Sequence, residues 1–229
     1  MKRTLLTLAG VVAVTASYAV VLPTSAHAAF NFIPFGAGGT VGIPTMHQVF
    51  RANLFGATPV AISQIAFAPG VNGTFNLGQV TIRLGYTNAI PGVASSSGGL
   101  VTPTEGGGGN NVGAMSTFYS NASTAFTFAG QSSSNFQMAF VGTPFTFDPG
   151  LGNLLVEIVA PSLANTTLTV SRSAGSAEAS RAYSGTRFVN GESPTTATRM
   201  DFTYTAVPEP GTMAAIGLGV AALLRRRRK

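Results

Sequence analysis

The chain has 229 residues, 45% of them hydrophobic and only 9% charged, and contains neither cysteine nor tryptophan. That composition excludes a disulfide framework and a thiolate metal centre, and so much apolar content excludes wholesale disorder. The formal charge of +6 sits at the ends, on Lys2, Arg3 and the run Arg225, Arg226, Arg227, Arg228 and Lys229, less the one negative charge of Glu209. Between residues 29 and 206 the cations Arg51, Arg83, Arg172, Arg181, Arg187 and Arg199 balance Glu105, Asp148, Glu157, Glu178, Glu192 and Asp201. A neutral body without lysine offers no basic face to nucleic acid.

The chain opens with Lys2 and Arg3, followed by an apolar run over residues 5–14 that continues weakly through Val20, Val21 and Leu22. Pro23 ends any helix there. Ala26-His27-Ala28 then supplies a small-x-small cleavage site. The three parts in that order predict a secretory signal peptide over residues 1–28, removed by signal peptidase after Ala28 and read at Ala26 and Ala28.

The body, residues 29–206, is long enough for one sizeable core. Residues 30–33 open it as a short aromatic strand, and residues 46–55 lean to strand. Residues 60–67 are an apolar run closed by Pro69-Gly70. In residues 80–86, Val80, Ile82, Leu84 and Tyr86 alternate with Thr81, Arg83 and Gly85, the period of a half-buried strand. Residues 91–113 are a long irregular stretch, and the glycines at 106–109 read as a flexible loop. Strands follow at 124–128 and 136–141. Asp148-Pro149-Gly150 marks a turn, and residues 153–159 are apolar on both faces except at Glu157. Residues 174–180 read as loop, residues 183–190 hold a strand, and residues 199–206 close the body with Met200, Phe202, Tyr204 and Ala206 on one face. Many short strands with turn chemistry and no amphipathic helix point to an all-β fold. An antiparallel β-sandwich, jelly-roll-like, is expected, flanked by an N-terminal signal helix and a C-terminal hydrophobic helix.

Candidate chemistry is sparse. His47 is the one histidine outside the leader, and one histidine without cysteine cannot make a usual zinc site. No G-x-S-x-G is present to make it a triad base, so it reads as a structural or surface histidine. Asp148 and Glu157 are the carboxylate pair to inspect for glycoside cleavage, since a turn between them folds their strands together. The bland reading makes Asp148 a turn residue and has Glu157 facing solvent or an arginine. Asp148 with Asn153 is the one candidate oxygen site for Ca²⁺, but no dense Asp/Asn loop surrounds it. No catalytic residue, cofactor or metal is therefore expected. Tyr119 and Tyr183 are the tyrosines left for stacking on a sugar, because Tyr86 and Tyr204 fall on core faces.

Beyond the body, Pro208 and Pro210 around Glu209 impose an extended, exposed punctuation. Residues 212–224 carry no charge and are apolar all round, as in a core or membrane helix. At roughly 1.5 Å per residue they reach about 20 Å, short of a hydrocarbon core of about 30 Å. Burying Arg225, Arg226, Arg227 and Arg228 in a protein core is very costly, whereas long arginine side chains snorkel to a membrane surface. Residues 207–229 therefore read as a tail with a transmembrane segment.

This tail resembles a PEP-CTERM sorting signal, the bacterial C-terminal signal handled by exosortases. Pro208, Glu209 and Pro210 match its motif, residues 212–224 its hydrophobic segment, and Arg225 through Arg228 its basic end. The resemblance implies export, tethering in the inner membrane, recognition by an exosortase, cleavage near Pro208–Pro210 and delivery to the cell surface or extracellular matrix. Positive-inside logic agrees, keeping the arginines cytoplasmic. The segment 144–157 also resembles a strand pair that recurs in PEP-CTERM proteins with β-sandwich bodies. The expectation is a non-enzymatic surface or matrix protein. The alternatives are an exopolysaccharide-binding module and a secreted glycoside hydrolase.

Overall fold

A computed structural model of the chain describes residues 16–36, 45–161, 167–184 and 191–208, together with Leu218, Arg225 and Arg226. In chain order the strands are β1 (Ser17–Leu22), β2 (His27–Asn31), β3 (Thr45–Phe50), β4 (Val60–Phe67), β5 (Gly73–Thr87), β6 (Val112–Phe128) and β7 (Met138–Phe147). They continue with β8 (Asn153–Val159), β9 (Val170–Ser173), β10 (Ala179–Ser184), β11 (Gly191–Ser193), β12 (Ala197–Thr198) and β13 (Met200–Ala206). Every ladder is antiparallel. One sheet runs β1-β13-β4-β7, a second β11-β10-β3-β8-β5-β6, and a small third β12-β9-β2.

The first two sheets face each other across a phenylalanine-rich core. Phe50 of β3 meets Phe202 of β13 edge-to-face, with centroids 5.1 Å apart, and Phe126 of β6 meets Phe140 of β7 at 5.2 Å. Such pairs add about 0.5–1.5 kcal/mol beyond their area burial. The pattern in β4 shows how register serves the core. Val60 and Ile62 point inward, and so do Ile65 and Phe67, a step out of phase with strict alternation. A bulge opposite β13, where Gln64 and Ile62 pair with the consecutive Thr203 and Tyr204, absorbs the extra residue Ser63 and restores the inward face.

The middle of the six-stranded sheet, β3 and β8, is buried on both sides. Met46 and Phe50 of β3 and Leu154, Val156 and Ile158 of β8 enter the main core. On the opposite face Val49, Leu155 and Ala182 gather around Leu100 in a second, smaller cluster. Leu100 belongs to the irregular segment between β5 and β6, which lies over this face as a cover. That is why β8 is apolar on both faces.

Several expectations change. The segment around Val20–Leu22, expected to continue a signal helix, is strand β1, because β13 supplies its ladder and Pro23 stops it. The sheets thus begin at Ser17, upstream of the body boundary expected at residue 29. Residues 1–15, the rest of the signal segment, lie outside the described residues. So does most of the expected C-terminal helix; within it Leu218, Arg225 and Arg226 are helical. No helix among the described residues is long and apolar enough to cross a membrane. Residues 179 and 180, expected as loop, begin β10, and β6 starts well before residue 124.

Candidate functional site

Register brings three side chains into one row. His47 of β3 is the cross-strand partner of Glu157 of β8, and Glu157 is in turn the partner of Arg83 of β5. Period two turns all three to the face under the cover, since their neighbours Met46, Ile158 and Leu84 face the main core. His47 and Glu157 are completely buried. His47 Nε2 lies 3.0 Å from Glu157 Oε2, and Arg83 Nη1 donates to Glu157 Oε1. Arg83 Nη2 reaches outward to Glu105 Oε1 at 2.9 Å.

The cover supplies the remaining partners. The Gly107 amide donates to Glu157 Oε2 at 2.9 Å. Gly107 has φ +89°, and a Cβ there would lie 2.6 Å from Met115 Sδ and 2.7 Å from Asn111 Cγ, so only glycine fits. The run Gly106–Gly109 is thus a built turn that delivers an N–H to a buried carboxylate, where the sequence reads as a flexible loop. Asn110 exchanges two bonds with the backbone of Val101, at 2.8 Å each, which fixes its amide orientation. Its Nδ2 then donates to His47 Nδ1 at 2.9 Å. An accepting Nδ1 leaves the imidazole proton on Nε2, facing Glu157.

Burial alone would raise the Glu157 carboxyl. The hydrogen bonds from His47, Arg83 and the Gly107 amide outweigh it and hold the group below its ordinary value. Burial likewise acts to lower Arg83, but its bonds to Glu157 and Glu105 prevail and raise it. Both Glu157 oxygens and both His47 nitrogens are thus engaged. No group of three or more metal-binding side chains exists among the described residues. The row works chemically as a clasp: it ties the cover onto the sheet and spends its charges doing so.

Beside the clasp, at the mouth of the cover, lies a cleft of about 390 Å³. Thr87, Asn88, Gly98, Asn110, Asn111 and Val112 contribute to its lining, which carries no charged side chain. Ile90, Val101 and Val112 are exposed apolar side chains on the same cover.

The other candidates are dispersed. Asp148 Oδ1 accepts from the Gly150 amide at 2.8 Å and caps the 3-10 turn Pro149–Leu151. It shares no partner with Glu157, so the inspected carboxylate pair does not converge on a common group. Asn153 is committed elsewhere: its Oδ1 accepts from the Ala52 amide and its Nδ2 donates to the Ala89 carbonyl. It is not free to join Asp148 around Ca²⁺. Tyr119 is half-buried, edge-on to Phe140 at 5.0 Å with its hydroxyl 3.2 Å from Thr124. Tyr183 packs against the main core. Neither offers a bare ring for stacking. Sequence reasoning missed Arg83 and Asn110; the signal for Arg83 was a lone cation on the wet side of an alternating strand.

Ala26 and Ala28 are exposed, in and just before β2. At the other end β13 stops at Ala206, the Val207 amide bonds to the Pro59 carbonyl at 2.9 Å, and Pro208 is exposed. Arg225 and Arg226 are exposed. Glu209, Pro210, Arg227 and Arg228 lie outside the described residues.

Compared with known families, residues 206–229 match the PEP-CTERM protein-sorting motif. No curated protein and no solved structure matches the chain. The chain thus carries at its C-terminal end a segment that matches the PEP-CTERM sorting motif, and that motif implies export and exosortase sorting to the cell surface.

Proposed function

We propose that the chain is a non-enzymatic structural module of the cell surface or extracellular matrix: a jelly-roll sandwich carried to its site by the tail and parted from it there. The observation that carries this reading is the abutment of fold and signal. The last strand ends at Ala206, and the sorting motif begins at residue 206. The four-stranded order β1-β13-β4-β7 facing β3-β8-β5-β6 is the order of a jelly roll. During sorting the tail sits in the inner membrane with Arg225–Arg228 on the cytoplasmic side, and an exosortase cuts near Pro208–Pro210. The non-enzymatic part is supported by the clasp, in which the side chains best suited to acid–base work are fully occupied by one another.

Fractionation of the native host tests it. The chain is expected in the surface or matrix fraction, and replacing Arg225–Arg228 by alanine is expected to leave it mislocalised. Recovery of the wild-type chain mainly from cytosol would refute it.

One observation favours a second reading, a module that binds neutral polysaccharide. The cleft beside the clasp is uncharged, rich in amide groups and flanked by exposed apolar side chains. A glycan array on the processed protein tests this, and Asn88→Ala with Asn111→Ala is expected to abolish any signal. An array without a single bound polysaccharide removes the reading.

A further inference from the structure

Export requires that the leader be cut off, and the fold bears on which bond is cut. Strand β1 pairs with β13 in unbroken register, from Ser17↔Thr205 to Leu22↔Met200. Leu22 is fully buried in the main core, and Tyr18 stacks on Tyr204 with ring centroids 5.9 Å apart. The turn after β1 is also fastened. Thr24 donates through its amide and its hydroxyl to the two oxygens of Glu178, each at 2.6 Å. His27 Nδ1 lies 2.9 Å from Ser171 Oγ. In the jelly-roll order β1 is the first strand, and it protects the β13 edge.

A cut after Ala28 would discard all of this. It would bare the backbone of β13 over its whole length, an open edge of the kind that β proteins avoid. It would also leave the core position of Leu22 empty. The sequence offers another bond. The basic start at Lys2 and Arg3 and the apolar run over residues 5–14 are followed directly by Val14-Thr15-Ala16, with a small aliphatic at the third position before the bond and alanine next to it. A leader of that length lies within the range that signal peptidase handles.

We infer that the leader is cut between Ala16 and Ser17, so that the exported protein begins with its own first strand. Ala26-His27-Ala28 is then a look-alike retained in the β1–β2 connection. The inference rests on the export reading above.

The intact mass of the exported protein, made from the full chain, tests it. The expected first residue is Ser17. Ala28→Leu, at an exposed position, is expected to leave processing unchanged and to appear in the mature mass. Ala16→Leu is expected to accumulate uncut precursor. A mature protein beginning at Ala29, or anywhere downstream of Ser17, overturns the assignment while leaving export intact. So does a block of processing by Ala28→Leu. A chain that keeps Met1 and stays in the cytosol defeats both readings together.

Discussion

Glu157 is the residue on which the cover depends. It is fully buried and takes hydrogen bonds from His47, Arg83 and the Gly107 amide, and its carboxyl is held below the ordinary value of 4.5. The sign of the pH effect follows. A carboxyl whose folded value is depressed stabilises the fold above 4.5 and loses that contribution as pH falls through the folded value. Urea midpoints of the wild type are therefore expected to drop as pH falls below 4.5, and Glu157→Gln is expected to flatten that part of the profile. At neutral pH the same variant leaves Arg83 facing a neutral amide. It is expected to cost about 3 kcal/mol, the scale for breaking a buried pair on one side. Asp201 is the opposite case. Its Oδ1 is buried without a partner, and burial raises its carboxyl above 3.8. A raised carboxyl costs stability once pH exceeds 3.8, where the unfolded chain ionises first. Asp201→Asn is expected to raise the thermal midpoint at pH 7 and to leave it unchanged well below 3.8.

At the scale of elements, strands rich in large apolar residues were legible and strands made of small polar residues were not. Residues 153–159 read as a strand at the bounds it has, and the apolar run read over residues 60–67 is β4. The first half of β6 was hidden. Its Ser, Thr, Asn and Gly residues lie at the open edge of the six-stranded sheet, and before Thr124 only Phe118 is buried. β10 was hidden by Ala179, Ser180 and Ala182, whose small side chains say nothing of how deeply the sheet buries them. The clasp was illegible for a different reason. His47 and Glu157 are 110 residues apart in sequence, and only ladder register makes them neighbours. The first strand makes an element-scale prediction. A chain begun at Ala29 lacks β1, leaves the core position of Leu22 unfilled and exposes the β13 edge. It is expected to unfold at lower temperature than a chain begun at Ser17 and to self-associate, as sedimentation velocity would show. Equal midpoints and a monomer in both would mean that β1 contributes nothing.

For the molecule as a whole, the address was more legible than the activity. Pro208, Glu209, Pro210 and the arginine block work through chemistry that needs no tertiary structure, so the sequence displays them directly. The cleft of about 390 Å³ forms only when the cover closes on the six-stranded sheet, and no periodicity announces it. The body also ends before the Pro-Glu-Pro motif: the ladder stops at Ala206, the Val207 amide bonds to the Pro59 carbonyl, and Pro208 is exposed. A protease acting near Pro208 therefore works beyond the last strand and need not open the sandwich. The most direct measurement of that division is the C-terminal mass of the protein recovered from the cell surface, with and without the host's exosortase. Loss of residues 212–229 in the first case, and their retention in the second, is the predicted result. A surface protein that still ends at Lys229 in the presence of exosortase would contradict it.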